Sequence, residues 1–129
     1  MFTRIGIVTR THEPAVKGAL ERVIAVLNRR GVETLIDTVA AGHDPGGRYR
    51  VVPSVELPDF CDLVISIGGD GTLLQCAGLI YPRDVALVGI NLGRLGFLTD
   101  LSPTDIEGGL DAVLNGDFRS EERAVLGCE

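Results

Sequence analysis

In Ile65-Ser66-Ile67-Gly68-Gly69-Asp70-Gly71-Thr72-Leu73-Leu74, an apolar run that begins at Leu63 meets three glycines wrapped around one aspartate. A second apolar stretch, of helical character, follows at once. A run this apolar reads as a strand buried on both faces, the habit of a central parallel strand. Strand, tight glycine turn and helix in that order build a pocket for phosphate. Glycine lets the backbone come close to an anion, and the N–H groups of the turn and of the helix start point at it. An aspartate in such a place repels phosphate, so its presence needs a chemical reason. It would accept a proton from a hydroxyl that attacks a phosphoryl group, or help to hold a phosphate-bound metal. Gly-Asp-Gly is also a common turn sequence. The apolar strand ahead of it, the added glycine and Thr72 as a candidate helix cap favour the functional reading.

The flanking sequence supplies a parallel sheet around this turn. Arg4 to Thr9 reads as a first strand, followed by a polar loop through His12. Pro14 suits the first position of a helix, and Val16, Leu20, Val23 and Leu27 recur at helical spacing. Lys17, Glu21 and Arg22 lie off that stripe, and Gly31 stops the helix. Glu33 to Thr38 reads as a second strand, completing a β–α–β opening. Ala40 to Pro58, rich in glycine and proline, reads as a surface excursion with a short helical or extended piece near Val55. After the Leu63–Ile67 strand, a helix is expected over about Thr72 to Ile80, then a fourth strand over Val85 to Ile90. A second glycine loop follows: Asn91-Leu92-Gly93-Arg94-Leu95-Gly96-Phe97-Leu98. A last helix starts near Ser102-Pro103-Thr104-Asp105 and runs to Asn115-Gly116, with Ile106, Leu110, Val113 and Leu114 on its apolar face. The fold class is therefore α/β: an open, mostly parallel sheet with helices on both faces. Such sheets bind ligands outside the carboxyl ends of their strands, where both glycine loops fall.

Composition narrows the function. The 129 residues leave room for one compact domain, and the 45% hydrophobic content fits a well-buried core. A formal charge of -6 without basic clusters argues against nucleic acid or an anionic membrane as partner. A phosphate ligand must then be held by backbone amides and a few cations. Cys61, Cys76 and Cys128 are scattered, as expected of reduced thiols in a cytoplasmic protein. The sequence enters a strand at once and has no apolar run of membrane length, so no signal peptide is expected. His12 and His43 are isolated, and no bound metal site is expected from the chain itself.

Gly68-Gly69-Asp70-Gly71-Thr72 followed by Asn91-Leu92-Gly93-Arg94-Leu95-Gly96-Phe97-Leu98 resembles the NAD kinase family, the enzymes that phosphorylate NAD to NADP. The first motif is shared with diacylglycerol and sphingosine lipid kinases, and more loosely with phosphofructokinases; the second is more telling of NAD kinases. The resemblance runs from the first strand to the end of the chain and is weakest between Ala40 and Pro58. It implies a Rossmann-like, phosphofructokinase-like lobe. Asp70 would be the catalytic carboxylate, activating the adenosine ribose 2′-hydroxyl of NAD toward the γ-phosphate of ATP. Gly69, Gly71 and Thr72 would approach the phosphates. Leu74 and Phe97 would line the apolar pocket for the adenine part of NAD, and Arg10 and Arg94 would lie on the ligand side. Mg²⁺ would arrive with ATP and neutralise charge on the transferred group. Phe97 reads equally as core, Arg94 as a solvated loop cation and Arg10 as a surface residue.

NAD kinases add a second, mostly β domain that brings an Asn-Glu pair and a Gly-Ser/Thr stretch to the cleft, and nothing in this sequence matches either. The expected organisation is a phosphate-binding lobe over 1–120, with 121–129 as the start of that second domain. The chain alone is expected to be inactive or weakly active, and to self-associate through apolar surface meant for the second domain. The full-length enzyme is expected to be a homo-oligomer. Two other readings compete. A lipid kinase lobe should offer a membrane-facing surface, which this acidic chain lacks. A non-catalytic nucleotide-binding module would use the phosphate cradle without turnover.

Overall fold

The structure is a computed structural model, and it describes residues 2–9, 14–42, 49–68, 70–80, 85–92 and 106–115. Among the described residues, five strands form one wholly parallel sheet in the order β3-β2-β1-β4-β5. They are β1 (Arg4–Thr9), β2 (Glu33–Ile36), β3 (Arg50–Val51), β4 (Leu63–Gly68) and β5 (Ala86–Asn91). The helices are α1 (Pro14–Arg30), α2 (Thr38–Ala41), α3 (Asp70–Ile80) and α4 (Ile106–Leu114), with a short 3-10 helix at Leu57–Asp59.

Alternation along the strands divides the core into two layers, because successive side chains point to opposite faces. Ile5 and Ile7 of β1 and Leu63, Ile65 and Ile67 of β4 pack with α1 and α4. Val8 and Val64 point the other way, into a cluster with Leu57 and with Cys76, Ala77 and Ile80 of α3. Both faces of the central strands are therefore covered, as their unbroken apolar sequence requires.

Local chemistry sets several boundaries. Gly31, at φ +73, ends α1: its N–H bonds the Asn28 carbonyl at 3.2 Å, and the Val32 N–H reaches back to Leu27 at 3.3 Å. This is the left-handed glycine stop expected from sequence. The second strand ends sooner than expected, at Ile36 rather than Thr38. Asp37 takes its carboxylate to the Ala40 N–H at 2.8 Å and caps α2, so Thr38 belongs to a helix. Within the expected excursion, β3 extends the sheet by pairing with Leu35 and Ile36 of β2. The 3-10 helix buries Leu57 and Pro58. It packs so closely on β1 that a Cβ on Gly6 would lie 2.7 Å from both the Leu57 Cγ and the Cys61 Sγ. Burial, followed by the nearby Asp62 charge, pushes the Cys61 thiol up to about 12. Neither Cys61 nor Cys76 is joined in a disulfide, and no helix among the described residues is long and apolar enough to cross a membrane.

At the amino edge of the sheet, the Asp62 carboxylate accepts from the Thr3 N–H at 2.9 Å and the Arg4 N–H at 3.2 Å, tying the starts of β1 and β4. Arg4 also pairs with Glu33 of β2 at 3.3 Å. On the helical face, α4 is held to α1 by charge as well as by core. Arg22 donates from Nε to Glu107 at 2.8 Å and pairs again through its second nitrogen. Arg29 reaches both oxygens of Asp111 at 3.1 Å, and Arg30 bonds Asn115. Read by helical periodicity alone, Arg22 belongs to a solvated face; the structure gives it a partner 85 residues away.

The Arg22 hydrogen bonds hold the Glu107 carboxyl at about 2, below its ordinary value of 4.5, and raise the Arg22 guanidinium in turn. A depressed carboxyl contributes stability above its unfolded pKa and loses it as pH falls through the folded one. Urea unfolding at stepped pH should therefore separate the native chain from Glu107→Gln by a constant amount above about pH 5. The gap should close as pH falls from 4.5 toward about 2. A gap that widened in acid would contradict the pairing.

Candidate functional site

Strand order, which no local pattern reveals, locates the site. From β1 the chain moves through α1 to β2 on one side, and later places β4 on the other side of β1. The order reverses between β1 and β4, and open α/β sheets bind ligands in the crevice at such a reversal, outside the carboxyl ends of the strands. Thr9 and Ile67 are partners there, and Gly68 is the next residue of β4. The glycine turn thus leaves the sheet at its topological switch point.

The turn is tightly built. β4 ends at Gly68 and α3 begins at Asp70, so one residue separates strand from helix. The expected helix start at Thr72 is two residues late, and Thr72 is not a cap: it lies within the first turn of α3 and is 7% exposed. It faces back onto the turn. A Cβ built on Gly68, whose φ is +157, would stand 2.6 Å from the Thr72 Oγ1 and 3.1 Å from its Cβ. The opening N–H groups of α3 have no partner within their own helix, and their aligned dipoles favour an anion.

The second loop starts beside the first. β5 pairs with β4 in register from Leu63↔Ala86 to Gly68↔Asn91, and the Leu92 N–H bonds the Gly68 carbonyl at 2.8 Å. Asn91 and Leu92, which open the second glycine motif, are therefore fixed against the strand end that opens the first. Thr9, on the other flank of Gly68, is 1% exposed and its Oγ1 finds no hydrogen-bond partner. Sequence reading passed over it, because an orphaned hydroxyl shows only in three dimensions.

Of the residues singled out from sequence, Asp70 and Gly71 occupy the first two positions of α3, and Thr72 the third. Leu74 is on the same helix and 55% exposed, so it does not serve the core. Gly69, Arg10, Arg94 and Phe97 lie outside the described residues, as does the segment 121–129. Among the described residues, no group of three or more His, Cys, Asp and Glu side chains could hold a metal ion.

Comparison with known proteins agrees with this architecture. Residues 5–118 match the family model described as the ATP-NAD kinase N-terminal domain. An NAD kinase of Teredinibacter turnerae is 41% identical over 125 residues, covering 97% of this chain and 43% of the relative. One of Geobacter sulfurreducens is 38% identical over 123 residues, covering 95% of this chain and 43% of the relative. The chain thus spans less than half the length of these curated relatives. A crystal structure of yeast NADH kinase complexed with NADH superposes with a TM-score of 0.76 at 18% identity, over 89% of this chain and 38% of that one. That likeness speaks for the fold. With the family model spanning nearly the whole described sheet, the chain belongs to the ATP-NAD kinase N-terminal domain family.

Proposed function

We propose that this chain is the phosphate-binding and catalytic lobe, over 1–120, of an enzyme that transfers the γ-phosphoryl group of ATP to the adenosine ribose 2′-hydroxyl of NAD. The observation that carries this reading is the glycine turn at the switch point, with a single residue between the end of β4 and Asp70, which opens α3. In it, Asp70 accepts the proton of the attacking hydroxyl, while Gly69, Gly71 and the first N–H groups of α3 receive phosphate oxygens. Thr72 braces the turn from beneath. Leu74, exposed on α3, offers apolar surface to adenine together with Phe97, and Arg94 and Arg10 supply cations to an otherwise acidic chain. MgATP is the donor substrate, its Mg²⁺ offsetting charge on the transferred group. Phosphoryl transfer depends mainly on positioning and electrostatics, so one wall of a cleft should turn over poorly. The setting we propose is cytoplasmic and homo-oligomeric in the full-length protein, without nucleic acid or membrane as partner.

NADP formation from NAD and MgATP, read through an NADP-specific dehydrogenase, tests this. The chain would be assayed alone and joined to the part of the Teredinibacter turnerae NAD kinase that it does not match. Little or no turnover alone and clear turnover by the joined protein are expected. A joined protein that folds cooperatively yet makes no NADP would overturn the reading.

A further inference from the structure

Among the described residues, two side-chain hydroxyls are buried without a hydrogen-bond partner, those of Thr9 and Thr34. Thr9 is 1% exposed and Thr34 8%. A buried hydroxyl left unpaired gives up its hydration for nothing, and valine has the same shape without that cost. Thr34 lies away from the switch point. Its register partner Ile5 stands four residues back along β1 from Thr9, about 13 Å at the rise of a parallel strand. Alternation puts it with Ile36, in the apolar layer under α1.

Thr9 is placed differently. It is the last residue of β1, and it pairs with Ile67, one residue short of Gly68. It therefore stands at the rim of the reversal between β1 and β4, one strand spacing, about 4.8 Å, from the strand that carries the glycine turn. Alternation puts its side chain on the face of Ile5 and Ile7, under α1, whereas α3 covers the opposite face. Because helices leave a switch point on opposite faces, a ligand seated there spans the rim from one face to the other. On the α3 side it meets the opening N–H groups of an 11-residue helix, which have no partner within that helix. On the β1 side it meets Thr9. Backbone N–H groups and a hydroxyl can all donate to phosphate oxygens, and a turn about χ1 re-aims Oγ1 without moving the strand.

We infer that Thr9 is a phosphate-binding residue of the nucleotide site: its hydroxyl donates to an oxygen of a phosphate chain that runs from the N-terminus of α3 across the end of β4 to β1. The inference rests on reading the Gly68 turn as the nucleotide site, and it adds the direction in which the phosphates lie. ATP and NAD both carry phosphates that suit this chemistry, and the test tells them apart.

The test is Thr9→Val in the joined protein, with Thr9→Ser to restore the hydroxyl and Thr34→Val as control. Thr9→Val should raise the KM for ATP or for NAD by roughly 10- to 100-fold, the effect of losing a hydrogen bond to a charged group. The nucleotide affected is the one whose phosphates reach β1. kcat should stay within about 2-fold, as for a contact made equally in the ground and transition states. Stability should move the other way: the melting temperature should hold or rise by a few degrees, because an unpaired hydroxyl is removed. Thr34→Val should do the same to the melting temperature and leave both KM values unchanged. Thr9→Ser should bring KM back to within about 3-fold of native, since serine offers the same donor. A hydroxyl with only a structural role would give the reverse pattern, a lower melting temperature with unchanged KM. That pattern, no rise in either KM, or an equal rise in Thr34→Val would overturn the proposal. Calorimetric titration with inorganic tripolyphosphate needs no turnover, and its Kd should rise in Thr9→Val but not in Thr34→Val. A joined protein that folds yet makes no NADP would sink the kinase reading. The tripolyphosphate titration would then decide the role of Thr9 by itself, an unchanged Kd overturning it.

Discussion

Asp70→Asn in the joined, two-domain protein should lower kcat for NADP formation by about 10²- to 10⁴-fold, the usual contribution of a positioned general base. ATP binding should persist or tighten. Asparagine keeps the shape and the turn-forming capacity of aspartate but cannot accept a proton, and it removes a negative charge from a site built for phosphate. Unfolding cannot mimic this result. Asp70 is the first residue of α3, where a carboxylate gains about 0.3 to 1 kcal/mol from the helix dipole. Losing that lowers the melting temperature by no more than about 5 °C for a domain of this size. A collapse of kcat with a nearly unchanged melting curve and intact ATP binding by calorimetry would identify the base. A loss of less than about tenfold would fall short of general-base catalysis, and would favour a binding module that holds nucleotide without chemistry.

The parts of this site legible in the sequence are those governed by local rules. An apolar run closed by glycines marks β4 and its turn, because a strand covered on both faces has no reason to alternate. Gly31 marks the end of α1 because only the left-handed region satisfies the last carbonyls so compactly. Long-range pairing left little local trace. β3 is two residues long and exists because Leu35 and Ile36 offer an edge to pair with. Asp37 reads as strand until its carboxylate is seen capping α2. Thr72 has the composition of a cap, yet the helix starts two residues earlier and draws it under the turn. The reversal between β1 and β4, which gives the glycine turn its crevice, is a property of strand order. Arg22 and Glu107, 85 residues apart, leave no periodic signal at all.

Gly68→Ala should cost about 3 kcal/mol of stability, combining strain at an unfavourable φ with overpacking, each about 1 to 3 kcal/mol. At φ +157 the backbone is in a region that side chains rarely adopt, and the new methyl would meet the Thr72 Oγ1 at 2.6 Å. Rotating Thr72 does not solve the problem, since its Cβ, 3.1 Å away, is fixed to the first turn of α3. Nor can β4 yield easily, because Gly68 pairs with Asn91 and its carbonyl accepts from Leu92 at 2.8 Å. Either α3 backs away from the sheet or the strand end twists; both move Asp70 relative to the second loop. The melting temperature should fall by roughly 10 °C. Gly78→Ala supplies the contrast: that position is helical with nothing within 4 Å of the added Cβ, so alanine should stabilise by about 1 kcal/mol. Adding Thr72→Ala to Gly68→Ala should recover the part of the loss due to Oγ1 and leave the part due to φ. If Gly68→Ala melted within about 2 °C of the native chain, an error-sized shift for a domain of this size, then the close fit between turn and helix would not be what holds Asp70 in place. The aspartate would owe its position to the helix start alone, and the Thr72 brace would be incidental.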